Sequence, residues 1–378
     1  MRIRLLLLGL TLLLPLSRAQ GSGLETGNSP AWSRLQQRLQ AQGQNGPAPP
    51  LRILHIGDSH TAAIAFSGRL RELWQQRYGD GGPGLLPPGK IPGTNPAPLP
   101  LRQGPGWQAR QERKIGNDSG LGGYAAQSQR PYQFLGLSLP TDHPDTRLIL
   151  YTDPEKISQA ARYRVFLDQK EIPALTRSPN GRSFHLLPAG GTQLEILSGS
   201  GGPAPRLRGL TLLQEGRGAS YAVVGVNGAG FPLLQEWQGE TVRMQMADFQ
   251  PDLLILAFGT NDVVTSAFSP EALAQTLQQT ETWLRRYARN AAVLLLLPPD
   301  LLRPSAQVQR NLQVLREQLH VNARKHGWLL WDWSRVLRGS GRPLNGPEGL
   351  YSQDGIHLSA AGYALGANQL FAALTGGN

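Results

Sequence analysis

Arg52-Ile53-Leu54-His55-Ile56-Gly57-Asp58-Ser59-His60 is the stretch on which the reading of the fold turns. Arg52–Ile56 is a short, nearly continuous apolar run, the pattern of a strand covered on both faces of a parallel sheet. Gly57-Asp58-Ser59 then makes a tight turn, and helical spacing follows over about 60–77. The same alternation continues downstream. Strands are predicted at Tyr221–Val226, Asp252–Phe258, Ala292–Leu297 and Trp328–Asp332, with helices near 233–247, 270–289, 305–326 and 359–374. Strand–helix alternation of this kind predicts an α/β class, a three-layer α/β/α domain around a parallel sheet.

One long interruption breaks the pattern, from Gly79 to Gly218. Its first part, 79–106, is dense in glycine and proline and reads as an irregular connection. The part from 107 to 218 carries short apolar runs: Tyr132–Leu139, Arg147–Tyr151, Tyr163–Leu167, Ser183–Leu187, Gln193–Leu197 and Arg206–Leu213. Runs at that spacing with turn residues between them predict an antiparallel β-sandwich. The economical organisation is a discontinuous α/β domain, 51–78 and 219–378, with a β domain inserted after its first helix. Residues 20–50 read as a leader, flexible over Gly21–Pro30, followed by a short helix around Leu35 and Leu39.

The N-terminus has the form of an export signal over 1–19. Arg2 and Arg4 precede the apolar run Leu5–Leu16, and Ser17-Arg18-Ala19 supplies small residues at a cleavage position. An uncleaved anchor is the other reading, but the run is about 12 residues where roughly 20 span a bilayer. An exported, periplasmic protein is therefore expected. The chain has no cysteine, so neither a disulfide framework nor a lipid-bearing cysteine is available. Its formal charge is +11, which favours anionic partners. Since no basic run and no nucleic-acid motif accompanies that charge, nucleic acid is not the expected partner. No stretch after the signal is long enough to span a membrane.

Four positions carry candidate chemistry. Ser59 opens a helix directly after a strand, where the helix N-terminus favours developing negative charge, although Asp-Ser is also an ordinary helix-capping pair. Asp354-Gly355-Ile356-His357-Leu358 places a carboxylate three residues before a histidine, a spacing that can hold the imidazole in one tautomer. Gly228, in Val226-Asn227-Gly228-Ala229, and Asn261, in Gly259-Thr260-Asn261-Asp262, both follow apolar strands. A backbone N–H and a primary amide there are the donors an oxyanion hole uses.

In that order along the chain, Ser59, Gly228, Asn261 and Asp354-x-x-His357 resemble the blocks of the SGNH (GDSL-like) hydrolases. The resemblance covers roughly 51–78 and 219–375. It implies that Ser59, Asp354 and His357 are the catalytic residues of a serine esterase. It also implies that the amides of Ser59 and Gly228, with the Asn261 side chain, form the oxyanion hole, and that no metal or organic cofactor takes part. No Gly-x-Ser-x-Gly elbow surrounds Ser59, so the α/β-hydrolase pattern is not followed.

An exported SGNH enzyme with a β domain inserted between the Ser59 and Gly228 blocks looks like the bacterial peptidoglycan O-acetylesterases, whose insert resembles a carbohydrate-binding module. O-acetylated peptidoglycan or another acetylated polysaccharide is then the expected partner. The alternatives are an exported acyltransferase or lipase-type esterase and, from a different class, a polysaccharide-binding protein with a vestigial site. Among the other histidines, His60 reads as surface or supporting packing and His326 as a cation at a helix end. His55, His143, His185 and His320 lack metal-ligand spacing. Trp328, Trp331 and Trp333 read as core and sheet-edge packing.

Overall fold

Along the strand Leu51–Gly57, successive side chains point to opposite faces, and both faces are filled. Leu54 and Ile56 join one hydrophobic core with Val224, Leu254, Leu256 and Leu295. Ile53 joins a second with Tyr221, Val223, Ile255 and Leu294. The computed structural model describes residues 23–43, 48–112, 119–128, 130–154, 162–200, 204–216 and 218–376. The 1–19 segment read as an export signal lies outside them.

Sheet order is Leu24–Glu25, Leu329–Asp332, Ala292–Leu297, Leu253–Ala257, Leu51–Gly57, Ala219–Gly225. All neighbours are parallel except the first pair. Helices Glu240–Phe249, Pro270–Tyr287 and Ala306–His326 cover the first core, and Pro30–Gly43, Ile64–Tyr78, Trp333–Gly339 and Ala360–Thr375 cover the second. The predicted three-layer α/β/α class is the observed one. The strand leading to Ser59 lies between the strands that follow it in the parallel sheet, so the order reverses there. In open α/β sheets such a reversal opens a crevice at the carboxyl ends of the strands.

Several local readings change. Gly21–Pro30, expected to be a flexible leader, instead contributes Leu24 and Glu25, paired antiparallel with Trp331 and Leu330. The outer strand otherwise leaves backbone groups without partners on that side. The helix expected over 60–77 breaks at Ala63, which is extended (φ −69°, ψ 113°), into Ser59–Ala62 and Ile64–Tyr78. The one expected over 233–247 becomes a 3-10 turn, Phe231–Glu236, and a helix beginning at Glu240. Gly239, at φ 109°, separates them in a conformation few residues other than glycine adopt.

The insertion is two antiparallel sheets facing each other. One has the order Lys170–Glu171, Arg164–Leu167, Gln193–Leu197, Phe134–Ser138, Leu101–Gln103. The other runs Thr176–Arg177, Arg182–Leu187, Thr146–Thr152, Leu207–Gln214, Tyr124–Ser128, Trp107–Gln111, with Gly84–Leu86 also paired to Leu207–Gln214. Leu135, Leu137, Leu148, Leu150, Ile196, Leu210 and Leu212 fill the space between. The glycine- and proline-rich segment 79–106 is thus not wholly irregular, since it supplies one short strand to each sheet. Alternate residues of the larger sheet, Ile149, Tyr151 and Leu213, turn the other way and join the first core of the α/β domain. Tyr151 donates to Asp248 at 3.1 Å, and the amide of Leu121 to Gln245 at 2.7 Å. Insert and α/β domain therefore share apolar packing. Among the described residues, no helix is long and apolar enough to cross a membrane.

Candidate active site

Three strand ends stand level. Gly225 is opposite Gly57, and Gly57 is opposite Ala257, so the segments that follow emerge together at one edge of the sheet. A side chain on Gly57 would meet Thr61 Oγ1 at 2.1 Å and the Ala257 carbonyl at 2.5 Å. Glycine lets the Ser59 helix sit directly on the strand ends. Asp58 caps that helix, its carboxylate accepting from the His60 amide at 2.9 Å.

The fourth segment is a loop closed on itself. Tyr351 bridges to Leu358, the amide of Ser352 donates to the His357 carbonyl at 2.9 Å, and Ser359 caps the helix Ala360–Thr375. This loop brings His357 to Ser59, 298 residues away in sequence. His357 Nε2 lies 2.8 Å from Ser59 Oγ, and Nδ1 lies 2.7 Å from Asp354 Oδ2. An ionised carboxylate only accepts, so Nδ1 carries the hydrogen and Nε2 is left to accept from the serine hydroxyl.

Asp354 Oδ1 accepts from the Ser352 hydroxyl at 2.7 Å and from the amides of Ile356 and His357 at 2.9 Å each. Partial burial pushes its carboxyl upward, but these hydrogen bonds and the one from His357 hold it well below the usual carboxylate range. It stays charged wherever the imidazole needs an orienting anion. Ser59 and His357 are half-buried and Asp354 is exposed, so the hydroxyl can be reached from solvent.

Gly228 is exposed, at φ 73°. Asn261 Nδ2 donates to the carbonyl of Ala229 at 2.8 Å, which ties the Asn261 side chain to the Gly228 turn. Among the described residues, the second Nδ2 hydrogen and the amides of Ser59 and Gly228 donate to no group. Ser59, Gly228 and Asn261 thus lie on segments leaving the same sheet edge, while His357 is hydrogen-bonded to Ser59 and Asp354 to His357.

The floor beneath the site was not evident from sequence. His60, expected at the surface or in support, is buried. Its Nδ1 is 3.0 Å from the Tyr363 hydroxyl, and its ring centroid is 5.3 Å from that of His357. Its Nε2 has no hydrogen-bond partner among the described residues. Burial pushes the imidazole down to about 3, and the neighbouring His357 adds to that shift. His55 is held between Tyr221 and Thr61 at 3.0 Å each and is likewise pushed to about 3 by burial. Two carboxyls adjoin Ser59 and Asn261 in the chain, Asp58 buried and Asp262 half-buried. Burial pushes Asp58 up to about 8, and Asp262, which accepts from the Phe231 amide at 3.1 Å, up to about 6. Their only sequence signal was adjacency to Ser59 and Asn261. Among the described residues, no group of histidine and acidic side chains has the arrangement of a metal site.

Residues 195–365 match the model of the GDSL-like Lipase/Acylhydrolase family. The chain carries a GDSL-like acylhydrolase domain. As an acylhydrolase it is a carboxylic ester hydrolase. The match takes in Gly228, Asn261, Asp354 and His357, while Ser59 precedes it and is brought to the acylhydrolase site by the fold. A solved structure of a peptidoglycan O-acetylesterase shares the fold of this acylhydrolase, with a TM-score of 0.71 and 24% identity over 92% of this chain and 97% of that one. Weaker similarities include an α/β hydrolase from the metagenome of Lake Arreo, Spain (25% identity, 42% and 73% coverage, TM-score 0.33). Another is a family two carbohydrate esterase from Clostridium thermocellum in complex with cellohexaose (13% identity, 71% and 97% coverage, TM-score 0.32). At those scores neither bears on the fold. No curated protein matches the acylhydrolase chain significantly.

Proposed function

We propose that the chain is an exported, periplasmic esterase that removes O-acetyl groups from a cell-envelope polysaccharide, with the C6 O-acetyl of N-acetylmuramic acid in peptidoglycan as its substrate. The observation that carries the chemistry is the unbroken Ser59–His357–Asp354 hydrogen-bond chain at 2.8 and 2.7 Å. The similarity in fold to a peptidoglycan O-acetylesterase across nearly the whole chain, insert included, supports the choice of polymer.

In this reading Ser59 Oγ attacks the acetyl carbonyl while His357 Nε2 takes its proton, and Asp354 stabilises the imidazolium. The carbonyl oxygen becomes an oxyanion received by the amides of Ser59 and Gly228 and the free Nδ2 hydrogen of Asn261. His357 gives the proton to the departing sugar oxygen as the C–O bond breaks, which frees the sugar hydroxyl and leaves acetyl on Ser59. Water then enters from the exposed side, gives a proton to His357 and attacks the acetyl carbonyl, and His357 passes that proton to Ser59 Oγ as acetate leaves.

Acetate release from O-acetylated peptidoglycan, beside acetylated xylan, tests this reading. Preferential release from peptidoglycan is expected, with complete loss in Ser59→Ala. Release from xylan alone would move the substrate to another polymer, and equal release by Ser59→Ala would remove the serine mechanism.

A further inference from the structure

The opposite edge of the parallel sheet carries a second feature that ester chemistry does not use. A groove of about 810 Å³ lies where the helix Pro30–Gly43 meets the C-terminal end of Glu240–Phe249 and the turn after Pro270–Tyr287. These are the amino ends of the strands Leu253–Ala257 and Ala292–Leu297, whereas Ser59 follows the carboxyl end of Leu51–Gly57. At about 3.3 Å per residue, the length of a strand sets the two sites roughly 15–20 Å apart.

Arg34, Arg38, Arg243, Arg286 and Arg289 line the groove, with Asp252 as the acidic lining residue. Arg38 is paired with Asp252, and Arg243 with Glu240 on its own helix. The other three cations have no carboxylate partner among the described residues. Arg34 reaches only the Asn290 carbonyl, at 3.3 Å, and Arg286 lies over the Tyr287 ring, 5.2 Å from its centroid. Arg289 is exposed on the turn itself. Like charges gathered in a concave, low-dielectric wall focus a positive potential and repel one another until an anion enters. All five cations are arginine, whose planar fork binds carboxylate and phosphate oxygens two at a time.

The geometry points to this groove as a docking site for an acidic polysaccharide strand, one carrying carboxylates or phosphates along its length. Two helices, Pro30–Gly43 and Glu240–Phe249, and the turn after a third supply its lining. The choice of a glycan among polyanions rests on the polysaccharide reading of the active site, while the charge argument stands without it. Because groove and Ser59 occupy opposite edges, the bound strand tethers the enzyme and leaves the catalytic edge free for a neighbouring strand.

The test is equilibrium binding of the full chain to labelled polygalacturonate (carboxylate) and labelled phosphorylated dextran (phosphate), beside neutral dextran and phosphatidylglycerol vesicles. The variant is Arg34→Gln/Arg286→Gln/Arg289→Gln. Wild type should bind one or both acidic strands in a salt-dependent manner and ignore dextran. The tighter arm identifies the anion. The variant should lose at least about tenfold in affinity with a shallower salt dependence, while turnover of a small acetyl ester stays within twofold. Unchanged affinity in the variant, no binding to either acidic strand, or binding to vesicles alone would overturn the assignment. Binding does not depend on ester turnover, so failure of the esterase reading would appear separately, as absent hydrolysis by a chain that still binds.

Discussion

Asn261 uses one amide hydrogen on the Ala229 carbonyl and, among the described residues, keeps the other free, so its side chain is fixed before substrate arrives. A fixed donor aimed at developing charge contributes to rate rather than to ground-state binding. Asn261→Ala should lower kcat on a small acetyl ester by roughly 10²–10³ with little change in KM, measured by steady-state hydrolysis. Below the site, Asp58 has a different signature. Its carboxyl is pushed from the ordinary 3.8 up to about 8 by burial. Below pH 4 it is protonated in both folded and unfolded chains. Between about pH 4 and 8 only the folded chain keeps the proton, so stability falls as pH rises through that window. Asparagine caps a helix equally well and cannot ionise. In Asp58→Asn the fall in Tm between pH 5 and 8 should therefore shrink by about 5 °C or more, as thermal melts would record. His55 and His60 act in the opposite sense. Their imidazoles, pushed down to about 3, take up protons on unfolding, so they destabilise the fold as pH drops below 6.5.

At the scale of elements, legibility followed pattern strength. The strands of the parallel sheet are apolar on both faces, as in Ala292–Leu297, and could be read directly. Trp107–Gln111 and Tyr124–Ser128 escaped notice because their outward positions are polar or small, and because the second strand also pairs with Leu207–Gln214, far along the chain. The candidate blocks that the structure brings together stood out because each is a short loop fixed to a strong strand or helix cap. The floor was not, because the burial of His60 depends on Tyr363, 303 residues away. Arg208 shows the same limit within the insert. It is buried, with Nη1 2.6 Å from Glu112 and Nε bonded to Asp153, and Arg206 Nε is 2.7 Å from the same aspartate. These charges stitch together the ends of three strands that nothing in sequence connects. Arg208→Met should leave the buried Asp153 and the half-buried Glu112 each one arginine short and cost on the order of 3 kcal/mol, measured by denaturant unfolding.

Considered whole, the molecule separates its tasks by the direction of its strands. Ester chemistry sits at their carboxyl ends and the arginine groove at their amino ends, while the insert is joined to the flank by a shared core. The two lateral borders of the parallel sheet are also occupied. Ala219–Gly225 is bound by the segment after the first helix, through the Ala219 amide to Gly79 at 2.8 Å and the Asn95 amide to Gly225 at 3.1 Å. On the other side, the two residues Leu24 and Glu25 cover Leu329–Asp332. An uncovered strand of that composition is a template for pairing with another chain. Deleting 23–29 should therefore shift the protein toward larger species than the full chain forms, by light scattering, with small-ester turnover per folded chain preserved. Two residues near the start of the fold thus act as its guard against self-association. Any tag or truncation placed there will be felt first as loss of solubility, before any loss of chemistry.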